Sequence, residues 1–238
     1  MLPVITPVLP STAARQVLAA YGFSIQRFSG PTDSTQGVTA TVLLGHRPYR
    51  AVLQAQSYGY ELTLRSLAAG PRSAPAQSAT FDAESNAHAF LRAHGLATDL
   101  QNDVVSTVGA DTIVTFTTTL SNTYEVAGAG ATLTYTPTGV LKAADIHIVD
   151  DSTPAVISGI SAAAALAEVA RGYGLYTTVN GAVLDSTSNV TGATILYVPV
   201  VDGIATYLEP VYRFSGVTGS SHIPFAVYVP AIDRSYLR

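Results

Sequence analysis

Cysteine and tryptophan are absent from the 238 residues, and methionine occurs once. Without cysteine, disulfide bonds, thiolate nucleophiles and cysteine-based zinc sites are excluded. Charged residues make up only 12% of the chain against 47% hydrophobic residues, which excludes a disordered chain. We therefore expect a folded, strand-rich protein whose surface consists largely of Ser, Thr, Ala and Gly. The low charge and the 13 tyrosines favour an extracytoplasmic location, either secreted or associated with the cell envelope.

Basic residues are also scarce, since Lys142 is the only lysine and the sequence contains no run of Lys and Arg. A phosphate-backbone footprint is therefore missing, and we expect no nucleic-acid partner. No apolar run approaches the ~18 to 20 residues of a membrane span. Residues 1–10 (MLPVITPVLP) are apolar and rich in proline but lack the basic start of a signal peptide. We interpret them as a linker that follows a removed signal or anchor, with an added initial Met.

Three segments show helical periodicity against a strand-rich background, at residues 11–23, 82–96 and 161–175. Their predicted N-caps are Ser11, Asp82 and Ser161, and each segment ends in glycine followed by a large apolar residue. Aligning the terminal glycines brings one apolar stripe into register. The aligned sets are Gly22/Gly95/Gly174, Val17/Phe90/Val169, Leu18/Leu91/Ala170, Ala14/Ala87/Leu166 and Tyr21/His94/Tyr173. We interpret the helices as packing elements of a duplicated unit, so that His94 is a half-buried residue at a helix end.

After each helix the apolar period changes from 3.6 to 2, which predicts strands joined by short turns. The predicted fold class is α+β, with repeated units of one amphipathic helix packed on an antiparallel β-meander. The predicted organisation is a linker at 1–10 and units at 11–70, 80–150 and 154–238, the last two of which could form one domain.

No strong catalytic, metal or nucleotide motif is present. The five histidines include no HExxH or HxH spacing. Asp145 and His147 alternate on one face of a predicted strand and are a weak candidate for a metal site. An enzyme would need converging polar groups, such as Asp145, His147 and Glu125, or His222 with Asp233. We expect no catalytic residues, no resident metal and no cofactor.

Tyrosine and arginine in the last unit are the candidate binding residues, because both are favoured at protein interfaces. The set is Tyr207, Tyr212, Arg213 and Tyr228. Tyrosine is equally a good strand residue, so the pattern alone leaves both interpretations open.

The second helix with its following strands resembles bacterial extracytoplasmic regulatory domains, namely YycI/YycH-like proteins and PepSY-like repeats. The resemblance rests on DAESNAHAFLRAHGL and on EPVYRF and FAVYVPAI near the C-terminus. It implies a protein that binds and modulates another envelope protein or a peptide, and it implies no catalytic residues. The alternatives are a structural surface-layer, appendage or virion component, or an enzyme of unrecognised type.

Overall fold

The computed structural model describes residues 9–29, 37–56, 59–68, 81–96, 100–120, 123–149, 158–178, 187–202, 205–219 and 222–233. These residues form three short helices and twelve strands. In chain order they are α1 Ser11–Ala20, β1 Ser24–Ser29, β2 Val38–Leu44, β3 Arg47–Gln56, β4 Gly59–Ser66, α2 Ala83–Ala93, β5 Leu100–Val108, β6 Asp111–Leu120, β7 Tyr124–Tyr135, β8 Leu141–Val149, α3 Ala162–Ala170, β9 Leu175–Thr178, β10 Asn189–Asp202, β11 Ala205–Val217 and β12 Pro224–Pro230. None of the helices in this described part has the length and hydropathy that crossing a membrane requires.

The chain divides into two compact units. Unit 1 comprises Met1–Thr123, Gly128–Asp150 and Val201–Thr206. Unit 2 comprises Tyr124–Ala127, Asp151–Val200 and Tyr207–Arg238.

Unit 1 contains an antiparallel sheet with strand order β1-β2-β3-β4-β8-β7, to which β6 and then β5 are added through β7. One face of this sheet is apolar because buried residues alternate along its central strands, as in β2 with Val38, Ala40 and Val42. Leu18 of α1 and Leu91 of α2 belong to the same core as these residues. Leu9 is also buried in this core, whereas residues 1–8 of the predicted linker lie outside the described residues.

Unit 2 contains the strand order β10-β11-β12-β9. Ala165 of α3 packs against Phe214, Phe225 and Val227 on one face of β11 and β12. The start of β7 pairs in parallel with β10, with Leu196 opposite Glu125.

The predicted fold class is wrong. The described chain is mostly β-strand in a mixed sheet with three short helices, and not a series of helices each packed on its own antiparallel meander. A separate meander has two edges whose backbone N–H and C=O groups lack partners. In the structure β4 uses its edge to pair with β8, from Gly59 opposite Val149 to Arg65 opposite Ala143. The strands that follow α1 and α2 therefore share one sheet.

The three helices lie within the three predicted segments, but the predicted third register is wrong. α1 and α2 end in Schellman motifs, in which Phe23 N–H donates to Leu18 O and Leu96 N–H donates to Leu91 O. In α3 the equivalent bond runs from Tyr173 N–H to Glu168 O, so the left-handed glycine is Gly172 and not Gly174. Leu166 and Ala170 are exposed, and the buried residue of α3 is Ala165.

Candidate functional site

Tyr212 of the predicted binding set lies on the α3 side of unit 2. Its hydroxyl donates to Ile160 O at 3.0 Å, and its ring stacks on Phe214 with centroids 5.8 Å apart. Tyr212 also packs against the core that Ala165 and Phe225 form. Its polar group is therefore used within the protein.

Arg213 and Tyr228 lie directly opposite each other in the β11–β12 pair. Because successive side chains of a strand point to opposite faces, both lie on the sheet face away from α3 and Tyr212. Both are half-buried. Tyr207 lies in β11, but its side chain is outside the described residues. The structure therefore brings together only two of the four predicted binding residues.

Glu209 lies on the same face of β11 as Arg213 by this alternation, and it is buried. Its burial raises the pKa of the carboxyl above the usual value. No hydrogen bond or ion pair joins Glu209 to another described residue.

Asp145 and His147 lie on one face of β8, as predicted, opposite Thr63 and Glu61 of β4. Asp145 is paired with Arg65, whose Nη2 lies 2.9 Å from Oδ2. The third residue of the enzyme alternative, Glu125, belongs to unit 2 and pairs with Leu196. Within the described ranges no group of three His, Asp or Glu side chains is arranged to hold a metal ion.

His222 and Asp233, the other enzyme candidates, occupy separate turns of unit 2. His222 is exposed with a positive φ of 50°, and its backbone N–H donates to Thr218 O at 3.1 Å. Asp233 is exposed after β12, and its backbone N–H donates to Ser158 O.

His94 joins the ends of α1 and α2. Its Nδ1 lies 2.8 Å from Tyr21 O, and its ring stacks on Phe23 with centroids 4.4 Å apart and an interplanar angle of 8°. A tilted contact with Phe90 covers another part of the ring. The structure thus places His94 as a half-buried packing residue, as the helix register indicated.

The feature that sequence reasoning missed is β5, an edge strand of unit 1. Among the described residues it pairs only with β6, and it carries three exposed valines: Val104 at 62%, Val105 at 49% and Val108 at 63% exposure. Natural sheets usually protect such an edge with charge, proline or a covering segment. We call the unpaired backbone side of Leu100–Val108 the β5 edge.

The turn after β5 fixes the hairpin geometry. Val108 pairs with Asp111, so Gly109 and Ala110 form a two-residue loop. Gly109 has φ 64° while Ala110 does not have positive φ, which is the type II′ arrangement that suits the twist of paired strands. Residues 104–108 (VVSTV) do not alternate between apolar and polar side chains, so the sequence signal for this hairpin is Gly109 alone. A register shift occurs between Gln101 and Val104, at Asn102 and Asp103.

A cavity of about 90 Å³ lies at the root of this hairpin. Its lining includes Leu100 of β5 and Thr118 of β6, which are register partners, and His147 of β8. Tyr21, Gly95 and Leu96, from the C-terminal ends of α1 and α2, complete one side. The Oγ1 of Thr118 is buried without a hydrogen-bond partner among the described residues. The cavity therefore lies beside an exposed strand edge, and the Thr118 hydroxyl oxygen next to it is shielded from solvent.

Comparisons with known proteins give one structural similarity. No family model and no curated protein matches the chain. The solved structure of the Bacillus megaterium YpeB C-terminal domain is similar over 94% of this chain and 93% of that chain, with 13% sequence identity and a TM-score of 0.44. At that score the similarity assigns neither a family nor a function.

Proposed function

We propose that this protein is a non-catalytic binding or regulatory protein that acts outside the cytoplasm. It captures an extended segment of a partner protein by adding that segment as a strand to the β5 edge. The observation that carries the proposal is the exposure of Val104, Val105 and Val108 on a strand that pairs on one side only within the described residues.

The chemistry of the β5 edge indicates which kind of partner segment binds there. A row of backbone N–H and C=O groups is matched by the complementary groups of another extended strand, which a helix cannot supply. Val104 and Val108 lie on one face of the hairpin and Val105 on the other, as their register partners Thr115, Asp111 and Val114 show. A bound segment that covers all three valines therefore has apolar side chains on both of its faces, including two at adjacent positions beside Val104 and Val105.

A peptide-selection experiment tests strand addition. Random peptides displayed on phage are selected on the purified chain, and we expect the selected peptides to carry apolar residues on both faces of an extended strand. When a selected peptide binds, it slows amide hydrogen exchange along β5. Replacing both Val104→Lys and Val108→Lys weakens binding by about tenfold, the factor that ~1.4 kcal/mol of lost contact produces.

Leu67→Lys is the matched control, because Leu67 is a comparably exposed residue of unit 1 (52%) that lies outside β5. It is expected to leave peptide binding unchanged. Strand addition at β5 would be refuted by selected peptides that bind the double-lysine variant as tightly as the parent. It would also be refuted if the bound peptides slowed hydrogen exchange only at amides outside β5.

The second candidate function is structural assembly, in which another copy of the chain supplies the added strand. The VVSTV run of β5 favours it, because five consecutive uncharged residues can pair with their own copy without like-charge repulsion. Light scattering separates the two functions. A mass that rises with concentration in the parent and not in the double-lysine variant identifies assembly.

A further inference from the structure

We propose that a row of arginines on the outer face of the unit 1 sheet binds an acidic segment of a partner protein. The arginine row consists of Arg27 of β1, Arg50 of β3 and Arg65 of β4. These strands lie at the opposite end of the unit 1 sheet from β5. The inference therefore goes beyond strand addition at the β5 edge and does not depend on it.

The strand register places the three arginine side chains on one face of the sheet. Thr41 of β2 lies opposite Arg27 on one side and opposite Arg50 on the other. Arg50 in turn lies opposite Arg65. Because Thr41 precedes Val42, which is buried in the core, the row points away from the core. All three arginines are exposed, so a partner can reach them.

Two of the three guanidinium groups are unpaired in the described structure. Nη2 of Arg65 lies 2.9 Å from Oδ2 of Asp145. No hydrogen bond or ion pair joins Arg27 or Arg50 to another described residue. Glu61 also lies on this face, but it is four residues along β4 from Arg65, which is ~13 Å. The row therefore carries positive charge that the described residues around it do not neutralise.

The stability of the sheet does not account for the arginine row. Like charges directly opposite each other are destabilising, and Arg50 lies directly opposite Arg65. The row is also a local reversal of sign in a chain whose net charge is −4. Where a sequence breaks a local rule without compensation nearby, a functional site is the expected reason. A bound anion would supply the missing compensation.

The chemistry of the guanidinium group indicates the ligand. It has only donors, and its planar fork matches the two oxygens of a carboxylate. Asp145 shows that a carboxylate can pair with an arginine of this row. Arg27 and Arg50 are separated by strand β2, so their backbones are ~10 Å apart. Bidentate pairing with both therefore requires two carboxylates, which a segment with several Asp or Glu residues supplies.

The short length of the row favours an acidic protein segment over a phosphate polymer. β1 is the last strand at this end of the sheet, and the position beyond Arg65 is Ala143 of β8. Proteins that bind a phosphate backbone tightly make about 6–10 such contacts, and a net charge of −4 repels a long polyanion.

The experiment measures binding of a labelled peptide in which glutamates alternate with Gly and Ser, by fluorescence anisotropy at low salt. We expect the glutamate peptide to bind, added salt to weaken it, and a glutamine counterpart not to bind. Arg27→Gln with Arg50→Gln should weaken binding by about tenfold, because two exposed bidentate ion pairs are lost. Arg50→Lys should weaken it less, because the charge remains without the planar fork.

The matched control is Arg92→Gln with Arg171→Gln, which makes the same change in net charge. Both residues are exposed and lie at the C-terminal ends of α2 and α3, outside the row. The control should bind the glutamate peptide as tightly as the parent does. The melting temperature of Arg27→Gln with Arg50→Gln should be no lower than that of the parent, so that lost binding is not lost folding.

Three results would overturn the proposal. The first is an Arg27→Gln, Arg50→Gln variant that binds the glutamate peptide as tightly as the parent. The second is equal weakening in the control, which would show that net charge alone matters. The third is tighter binding of polyphosphate than of a glutamate peptide of equal charge. Peptides selected on the β5 edge should bind the Arg27→Gln, Arg50→Gln variant normally, so failure of either proposal leaves the other intact.

Discussion

Two buried tyrosines in the core of unit 1 differ in whether the hydroxyl has a partner. Tyr49 donates to Leu141 O at 2.6 Å, whereas the Tyr135 hydroxyl has no partner among the described residues. Burial raises the pKa of both groups, and for Tyr135 the nearby Tyr49 adds to the rise. Tyr135 lies between Thr134 and Thr136, so alternation predicts its burial, whereas Tyr49 lies between Pro48 and Arg50. The acceptor of the Tyr49 hydroxyl, Leu141 O, is 92 positions away and could not be predicted from a local pattern.

Replacing Tyr135→Phe should therefore stabilise the protein. The change removes a buried unsatisfied hydroxyl and keeps the ring that packs on Phe81, so we expect the free energy of unfolding to rise by ~1 kcal/mol. Tyr49→Phe is the matched control and should lower it by a similar ~1 kcal/mol, because Leu141 O loses its donor. Urea unfolding measures both. A loss of stability in Tyr135→Phe would mean that its hydroxyl is bonded in solution.

At the scale of helices, local signals predicted where each helix lies but did not predict every residue at which a helix begins or ends. Asp82 and Ser161 act as N-caps, with their side chains accepting from Ser85 N–H and Ala164 N–H. α1 instead has Pro10 at its N-cap position, without a side-chain cap, and Ser11 is its first helical residue. The sequence offers two glycines after α3, and only tertiary packing selects Gly172 as the helix terminator.

The Asp82 cap makes the stability of α2 depend on pH. Hydrogen bonds from the Ser85 side chain, and then from its backbone N–H, lower the pKa of Asp82. A carboxyl with a lowered pKa stabilises the fold above its unfolded pKa of about 3.9, and this contribution is lost as the pH falls through the folded value. Asp82→Ala should therefore lower the melting temperature at pH 7, and this deficit should shrink below about pH 4.

Asp82→Ser is the control for this prediction, because serine caps a helix without titrating. At neutral pH, Asp82→Ser should lower the melting temperature less than Asp82→Ala does. A deficit of Asp82→Ala that stays constant from neutral to acid pH would show that the carboxylate charge plays no part in the cap.

At the scale of strands, alternation identified many segments but could not name their partners. Strand β4 satisfies the same period-2 pattern whether it ends a meander or pairs with β8. Parallel pairing of β7 with β10 joins residues about seventy positions apart, and no local turn signal encodes it. β5 was missed because its sequence, LQNDVVSTV, shows no apolar alternation: Asn102 and Asp103 lie at its register shift, and Val104 and Val105 are adjacent.

Across unit 1, the sheet register aligns charges that look scattered in the sequence. Arg27 lies opposite Thr41, Thr41 opposite Arg50, and Arg50 opposite Arg65. All three arginines are exposed on the face away from the buried Val42. Like charges directly opposite each other are unfavourable. The Asp145 carboxylate offsets the positive charge of Arg65, with which it forms an ion pair. The sequence shows no basic cluster, because only strand pairing creates the row.

For the whole molecule, net charge should decide when the β5 edge causes self-association. The chain carries −4 at pH 7 with a pI of about 5.6, so repulsion between copies vanishes as the pH falls towards that value. We expect light scattering to show association of the parent near its pI and monomers at pH 8. Val104→Lys with Val108→Lys should stay monomeric at its own pI. The charge-matched control is Leu67→Lys with Tyr173→Lys, which alters two residues outside β5 that are each 52% exposed. This control should associate as the parent does, at a shifted pH. If both double variants remain monomeric, added charge and not the β5 edge controls association.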